Sequence, residues 1–201
     1  KYQVLIDQIK DQKMCDDKHQ VRSVMHFIVQ VANNHNHESN LYDKIKKIII
    51  IFKDEIKKYF YNFEIFNIFK YNKMILLFLI DEKLLDIDIY FIKNILKEKK
   101  QYMRYVSYFT PEIMSFIKSH PDESYLIQKL KKQLKNIPVE FDHNRRIGEN
   151  HNYICQLIRE DLIEEFIIHV QKNSISLNSL IKYSIFETNL FLIQSDQEVT
   201  L

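Results

Sequence analysis

Along most of this chain apolar residues return every three or four positions, the period that puts them on one face of an α-helix. The clearest run is Ile45, Ile49, Phe52, Ile56, Tyr59 and Phe63, with steps of 4, 3, 4, 3 and 4. Lys46, Lys47, Lys53, Asp54, Lys57 and Lys58 fill the remaining faces. Within it, Ile48-Ile49-Ile50-Ile51-Phe52 is rich in β-branched residues and reads locally as a buried strand. The helical period on both sides outweighs that local preference, and the run is far shorter than the roughly 20 apolar residues a membrane span needs.

The same reading predicts short helices along the rest of the chain. Residues 2–13 and 19–33 form the first two, the second carrying Val21, Val24, Met25, Ile28 and Val31 on one stripe. A polar break from Asn33 to Asn40 follows, with Ser39 or Asn40 placed to cap the next helix. Residues 64–71 and 73–84 pair around Asn72, and Asp86 or Asp88 caps a helix running to about Lys99. Thr110-Pro111-Glu112 has the order of a helix start: a cap, a proline at the first position, and an acid for the dipole. His120-Pro121-Asp122-Glu123 repeats it, opening a helix with Ile127, Leu130, Leu134 and Ile137 on one face and Pro138 as its stop. Residues 138–150 read as a loop, 152–160 and 162–172 as two further helices, and the tail as mixed with a short helix near 186–193. Ile68-Phe69-Lys70-Tyr71-Asn72 before Leu77 and Phe78 is echoed by Leu157-Ile158-Arg159-Glu160-Asp161 before Phe166 and Ile167, a spacing near three units of about 30 residues.

Composition sharpens this into an all-α fold, an irregular or solenoid-like array of short helical hairpins. The 201 residues include one glycine and three prolines, too few for the tight turns of a β-sandwich or barrel. The same scarcity excludes a Walker loop, a dinucleotide fingerprint and an EF-hand loop, each of which needs glycine at set places. Twenty-nine basic and 27 acidic side chains leave a net charge of +2, and only five of the bases are Arg. That balance argues against nucleic acid, because base readout and phosphate clamping lean on Arg. Cys15 and Cys155 lie far apart with no CxxC pair and no glycosylation sequon, so an intracellular, cytoplasmic and reducing setting is expected. The chain begins with Lys1 rather than Met, so a start inside a longer reading frame is expected. No apolar h-region follows, and no signal peptide is expected.

Few residues suggest chemistry. His35 and His37 sit two apart in the polar break beside Glu38, with His19 and His26 upstream; a metal needs three or four converging ligands, and a solvated loop is the better account. Asp81-Glu82 and Asp86 with Asp88 read as caps and surface, and Cys155 as an inert thiol on an apolar face. Lys129, Lys131, Lys132 and Lys135, with Lys97, Lys99 and Lys100, form a basic face that acids elsewhere nearly balance. Arg145 and Arg146 coincide with Gly148, the only glycine, in the 138–150 loop, as a structural turn or a contact point. Tyr102, Tyr105, Tyr108 and Phe109 cluster, and Tyr is favoured at interfaces, so this group is either a contact surface or core.

Whole phrases of the chain resemble a large expanded family of ankyrin-repeat proteins from a parasitic, trichomonad-like protist that carries a domain of unknown function. They include Asn33-Asn34-His35 with Phe52-Lys53-Asp54-Glu55-Ile56-Lys57, and Asn62-Phe63-Glu64-Ile65-Phe66-Asn67-Ile68-Phe69-Lys70 leading to Ile75-Leu76-Leu77-Phe78-Leu79-Ile80. Tyr108-Phe109-Thr110-Pro111-Glu112-Ile113 is another. The most specific block joins Gly148-Glu149-Asn150, Tyr153-Ile154-Cys155-Gln156-Leu157-Ile158-Arg159, Glu164-Glu165-Phe166-Ile167 and Ser184-Ile185-Phe186-Glu187-Thr188-Asn189. The resemblance spans nearly all of the chain. It implies the N-terminal flank or cap of an ankyrin array, with degenerate ankyrin-like pairs toward the C-terminus and Thr200-Leu201 as the lead-in to a first repeat. It brings no catalytic or ligand residues, and the T-P-L-H-x-A phrase of ankyrin repeats is missing here.

The expected organisation is an N-terminal helical segment over residues 1–62, a hairpin array over 63–137, the loop 138–150, and a helix pair with lead-in over 151–201. The expected function is a protein–protein interaction scaffold with no catalysis, cofactor or metal, whose partner is another protein. The expected contact residues are Tyr102, Tyr105, Tyr108, Arg145 and Arg146. The competing reading is a basic helical array that binds nucleic acid or an anionic membrane surface.

Overall fold

The computed structural model describes residues 17–34, 40–97, 103–123, 141–148, 152–177, 180–181, 184–186 and 199–200. Among them the fold is all-α, with eleven short helices. These are α1 (Lys18–Asn34), α2 (Leu41–Ile51), α3 (Lys53–Tyr59), α4 (Asn62–Phe69), α5 (Lys73–Asp81) and α6 (Ile89–Lys97). There follow α7 (Met103–Tyr108), α8 (Thr110–Ser119), α9 (Phe141–Ile147), α10 (Tyr153–Arg159) and α11 (Ile163–Lys172). A 3-10 turn covers Pro121–Glu123, and Leu180–Ile181 pairs antiparallel with Val199–Thr200 in a two-residue ladder. No described helix is long and apolar enough to cross a membrane. The helix expected over 2–13 lies outside the described residues, as do the helix opened by Pro121–Glu123 beyond Glu123 and, beyond residue 186, the one expected near 186–193.

One apolar core runs from Val21 to Ile117, with α1 packed on α2, α3 and α4, and α4 on α5 and α6. It continues through the 62/63 boundary expected from the sequence. The isoleucine seam supplies its centre: Ile45, Ile49, Phe52 and Ile56 are all buried. The single helix expected there is instead two helices and the start of a third. Phe52, at φ −94° and ψ 12°, interrupts the α-helical path, its amide bonding to the Ile49 carbonyl three residues back. Four consecutive β-branched residues precede it, and their stiff side chains crowd a regular helix. The chain then turns extended at Phe60 (φ −122°, ψ 134°), which resets the register. Phe60 therefore enters the core at 6% exposure, while Phe63, expected on the seam, is 46% exposed on α4.

Caps fix the helix starts. Asn72 is fully buried; its side-chain oxygen accepts the Ile75 amide at 3.0 Å, and its amide donates to Asn33 at 2.9 Å and the Tyr42 hydroxyl at 3.2 Å. One side chain thus starts α5 and ties it to the end of α1 and to α2. Asp88, rather than Asp86, caps α6 through the Phe91 amide at 2.7 Å. Thr110 does not act as the expected cap. It lies inside α8, and its hydroxyl donates back to the carbonyls of Val106 at 3.0 Å and Ser107 at 2.9 Å. The tight succession of α7 and α8 leaves those carbonyls as the acceptors within reach.

The helix ends solve the glycine shortage in a way composition does not reveal. Lys83, Asp161 and Ser174 take φ of 56°, 55° and 50°, in the left-handed region. After each, the next amide reaches back five residues: Leu84 to Leu79, Leu162 to Leu157, and Ile175 to Val170. This is the Schellman closure, here built on non-glycine residues at a cost of about 1 kcal/mol or more each.

The stretch 138–150, expected to be a loop, contains helix α9. Asp142 in its first turn and Arg145 and Arg146 in its last complement the dipole, and Gly148, at φ 73°, follows its end. Polar residues hid this helix, because its buried positions are only Phe141 and Arg145. The hairpins α4–α5 and α10–α11, which echo each other in sequence, differ at the turn. Lys70 is right-handed there and Asn72 caps the next helix, whereas Asp161 is left-handed and Leu162 makes no side-chain cap. No repeat unit is seen among the described residues.

Candidate interaction surfaces and the buried Arg145 joint

Three of the five residues singled out in the sequence lie in the interior, and a fourth, Arg146, sits half exposed beside them. Tyr105 and Tyr108 are 4% and 0% exposed, and Arg145 is 4% exposed. Tyr102 lies outside the described residues. Tyr105 donates to the Lys70 carbonyl at 2.6 Å and Tyr108 to the Arg145 carbonyl at 2.6 Å. Phe109 is also fully buried, edge-on to Tyr108 at 5.0 Å and to Phe91 at 5.4 Å. Of the two readings left open, contact surface or core, Tyr105, Tyr108 and Phe109 are core and joint, because both tyrosine hydroxyls find backbone acceptors inside and the rings meet edge-on or tilted.

Arg145 binds that joint together. Its guanidinium pairs with Glu112 at 2.8 Å and Asp142 at 2.7 Å, and Nη1 donates to the Tyr108 carbonyl at 3.3 Å. Arg146, half exposed, bridges Asp142 at 3.1 Å and Asp81 at 2.7 Å. Hydrogen bonding from Arg145 pulls the Asp142 carboxyl below its ordinary range, and the Asp81 pairing raises the Arg146 guanidinium further. Burial pushes the Tyr108 phenol upward, so it stays a neutral donor. Lys73, 1% exposed, adds a bond to the Ile185 carbonyl at 2.8 Å and lies over the Tyr108 ring at 5.1 Å. These contacts fasten α9 and residues 184–186 onto α5, α7 and α8 by polar links. A cavity of about 90 Å³ sits beside them, between Lys46, Phe78, Asp81 and Arg146. Its arginines are already engaged by carboxylates, so it offers no spare bidentate clamp.

Two apolar surfaces reach solvent elsewhere. Tyr61, Phe63 and Tyr90 are 72%, 46% and 37% exposed and form a ladder of rings, stacked at 6.1 Å and edge-on at 6.0 Å. Through Phe66 and Phe91 this ladder continues into the core, which accounts for much of the aromatic content as packing. The second surface is the α10–α11 hairpin. α11 contains no buried residue, though its sequence is amphipathic. Phe166, His169 and Val170 are half-buried, while Ile163, Ile167 and Ile168 are 60%, 46% and 62% exposed. On α10, Ile154 and Leu157 are buried, and Ile158 at the turn is 55% exposed. Sequence periodicity does find this stripe, since Ile163, Phe166, Ile167 and Val170 have core spacing. It does not show that nothing described covers half of it.

The remaining sequence candidates separate. Cys155 is half-buried on α10. Among the described residues no three His, Cys, Asp or Glu side chains gather as metal ligands; His35 and His37 lie outside them. Lys129, Lys131, Lys132 and Lys135 also lie outside, as do Lys99 and Lys100. No family model, curated protein or solved structure gives a significant match to the chain.

Proposed function

We propose that this chain is a protein–protein interaction scaffold that works by burying apolar area, without a chemical step. The observation that carries this is α11, a ten-residue helix with core-type spacing and no buried residue. Three large aliphatic side chains on one short helix, with Ile158 beside the turn, exceed the scattered exposure normal on a monomer surface. The polar Arg145 joint supports the same reading, because it fixes α9, next in the chain before the hairpin, to the main core. The resemblance read from the sequence implies the N-terminal flank or cap of an ankyrin-repeat protein, and this is the place we propose for the chain. A hairpin with an apolar side that no described residue covers suits that place, since stacked helical units bury their cores only against neighbours.

Affinity capture with the chain and with an Ile163→Asp/Ile167→Asp variant tests the scaffold reading. Proteins held by the first and lost by the second are expected. Identical captures would overturn it. Retention that collapses from low to physiological salt, with a steep slope, would instead support nucleic-acid or anionic-surface binding.

A further inference from the structure

We infer that the α10–α11 face docks a partner's amphipathic helix whose apolar stripe is flanked by lysine or arginine; this rests on the scaffold reading above. The argument is one of charge around the exposed isoleucines. Glu164 stands one helical turn before both Ile167 and Ile168, and Glu165 one turn before Ile168. Both are exposed, as are Glu160 and Asp161 in the turn beside Ile158 and Ile163. Glu160 accepts a hydrogen bond from Gln156 at 3.0 Å, a neutral partner that adds no positive charge. Over residues 152–177 these four acids stand against Arg159 and Lys172, a local balance of −2 in a chain whose total is +2.

That pattern discriminates among occupants. A phosphate backbone or an anionic bilayer would meet four carboxylates at the edge of the apolar patch, and like charges repel there. A second copy would bring two surfaces of balance −2 together. A helix with basic residues at one end gains both the apolar contact and charge complementarity. The acids lie at the N-terminal end of α11, and Lys172 at its C-terminal end. A partner helix running antiparallel would set a basic last turn, the favoured place for cations on any helix, over Glu164 and Glu165.

The test uses the whole 201-residue chain and two synthetic helical peptides with the same leucine stripe, one flanked by lysines and the other by glutamates. Fluorescence anisotropy should show the lysine peptide binding at least about tenfold more tightly, as expected where flanking charge sets specificity. A Glu164→Lys/Glu165→Lys variant should invert the preference, and Ile163→Asp/Ile167→Asp should abolish binding of both peptides. All four positions are exposed, so circular dichroism should show folded variants. Equal binding of the two peptides, lost with the isoleucines, would overturn the charge assignment and leave the scaffold reading intact. Binding indifferent to the isoleucine substitutions would overturn both. A dimer in sedimentation that the isoleucine variant dissolves would assign the face to a second copy and overturn the partner-helix proposal.

Discussion

Replacing Arg145 by Met removes one cation from a site where only 4% of its side chain meets solvent. Met keeps much of the length and apolar stem, so the change reports on charge and hydrogen bonds. Three polar contacts are lost, together with the guanidinium's place over the Phe141 ring at 5.5 Å. The Asp142 pairing contributes little, because that carboxylate is 63% exposed and screened, so at most about 1 kcal/mol is assigned to it. The Tyr108 carbonyl bond, at 3.3 Å, adds about 1 kcal/mol or less. The decisive one is Glu112, 15% exposed, which is left without its bidentate partner. Breaking a buried pair from one side costs about 3–5 kcal/mol. Partial exposure of Glu112 puts the expected total near the lower end, about 3 kcal/mol. With a urea m-value of about 3 kcal/mol/M, the midpoint should fall by about 1 M. The Arg145→Met/Glu112→Met double variant should recover most of this, because no buried charge is then stranded. Urea titrations followed by far-UV circular dichroism measure all three species and give the coupling. A single variant within about 1 kcal/mol of the parent, or a double variant as unstable as the single, would refute the joint as described.

Other outcomes follow from the same packing. Asn72→Ala should cost about 2–3 kcal/mol, since one cap and two interhelix bonds go together, and the loss is checked by denaturant titration. Gly148→Ala should destabilise by about 1 kcal/mol in the same assay, because its φ of 73° favours glycine. Burial acts to raise the Glu64 carboxyl, but the Tyr61 amide with Lys18 and Arg22 outweighs it and holds the carboxyl below its ordinary value. A lowered folded value stabilises above the unfolded pKa, and that stabilisation is lost as pH falls through the folded value. Glu64→Gln should therefore flatten the acid limb of a Tm-against-pH profile, while costing less than about 1 kcal/mol at neutral pH because Lys18 and Arg22 are over a third exposed.

Much of the fold was legible because it rests on local rules. The periods of α1, α4, α5, α10 and α11, the break at Asn72 and the cap at Asp86 or Asp88 are short-range patterns. What failed did so where a tertiary preference overrode them. The isoleucine seam promised one helix, and the chain broke at Phe52 and Phe60 so that Phe60 rather than Phe63 could be buried. The 138–150 stretch looked polar enough for a loop, yet Arg145 is buried because Glu112, Asp142 and Tyr108 surround it with acceptors. No local pattern announces that, since Glu112 is 33 residues away.

The candidate sites divide along the same line. Residue types determined by themselves that the chain is helical, that glycine-dependent nucleotide and calcium loops are excluded, and that Tyr105, Tyr108, Arg145 and Arg146 carry unusual potential for contacts. Only the tertiary structure decided where that potential is spent. A tyrosine or arginine satisfies its polar end equally well with a partner or with a backbone carbonyl from a distant helix, and sequence spacing does not distinguish them. Here the carbonyls of Lys70, Tyr108 and Arg145 take that role inside, and the exposed apolar area moves to α11. That helix has the same periodicity as the buried ones. Its difference is the lack of a described neighbour over half of its stripe, a property of the assembled fold alone.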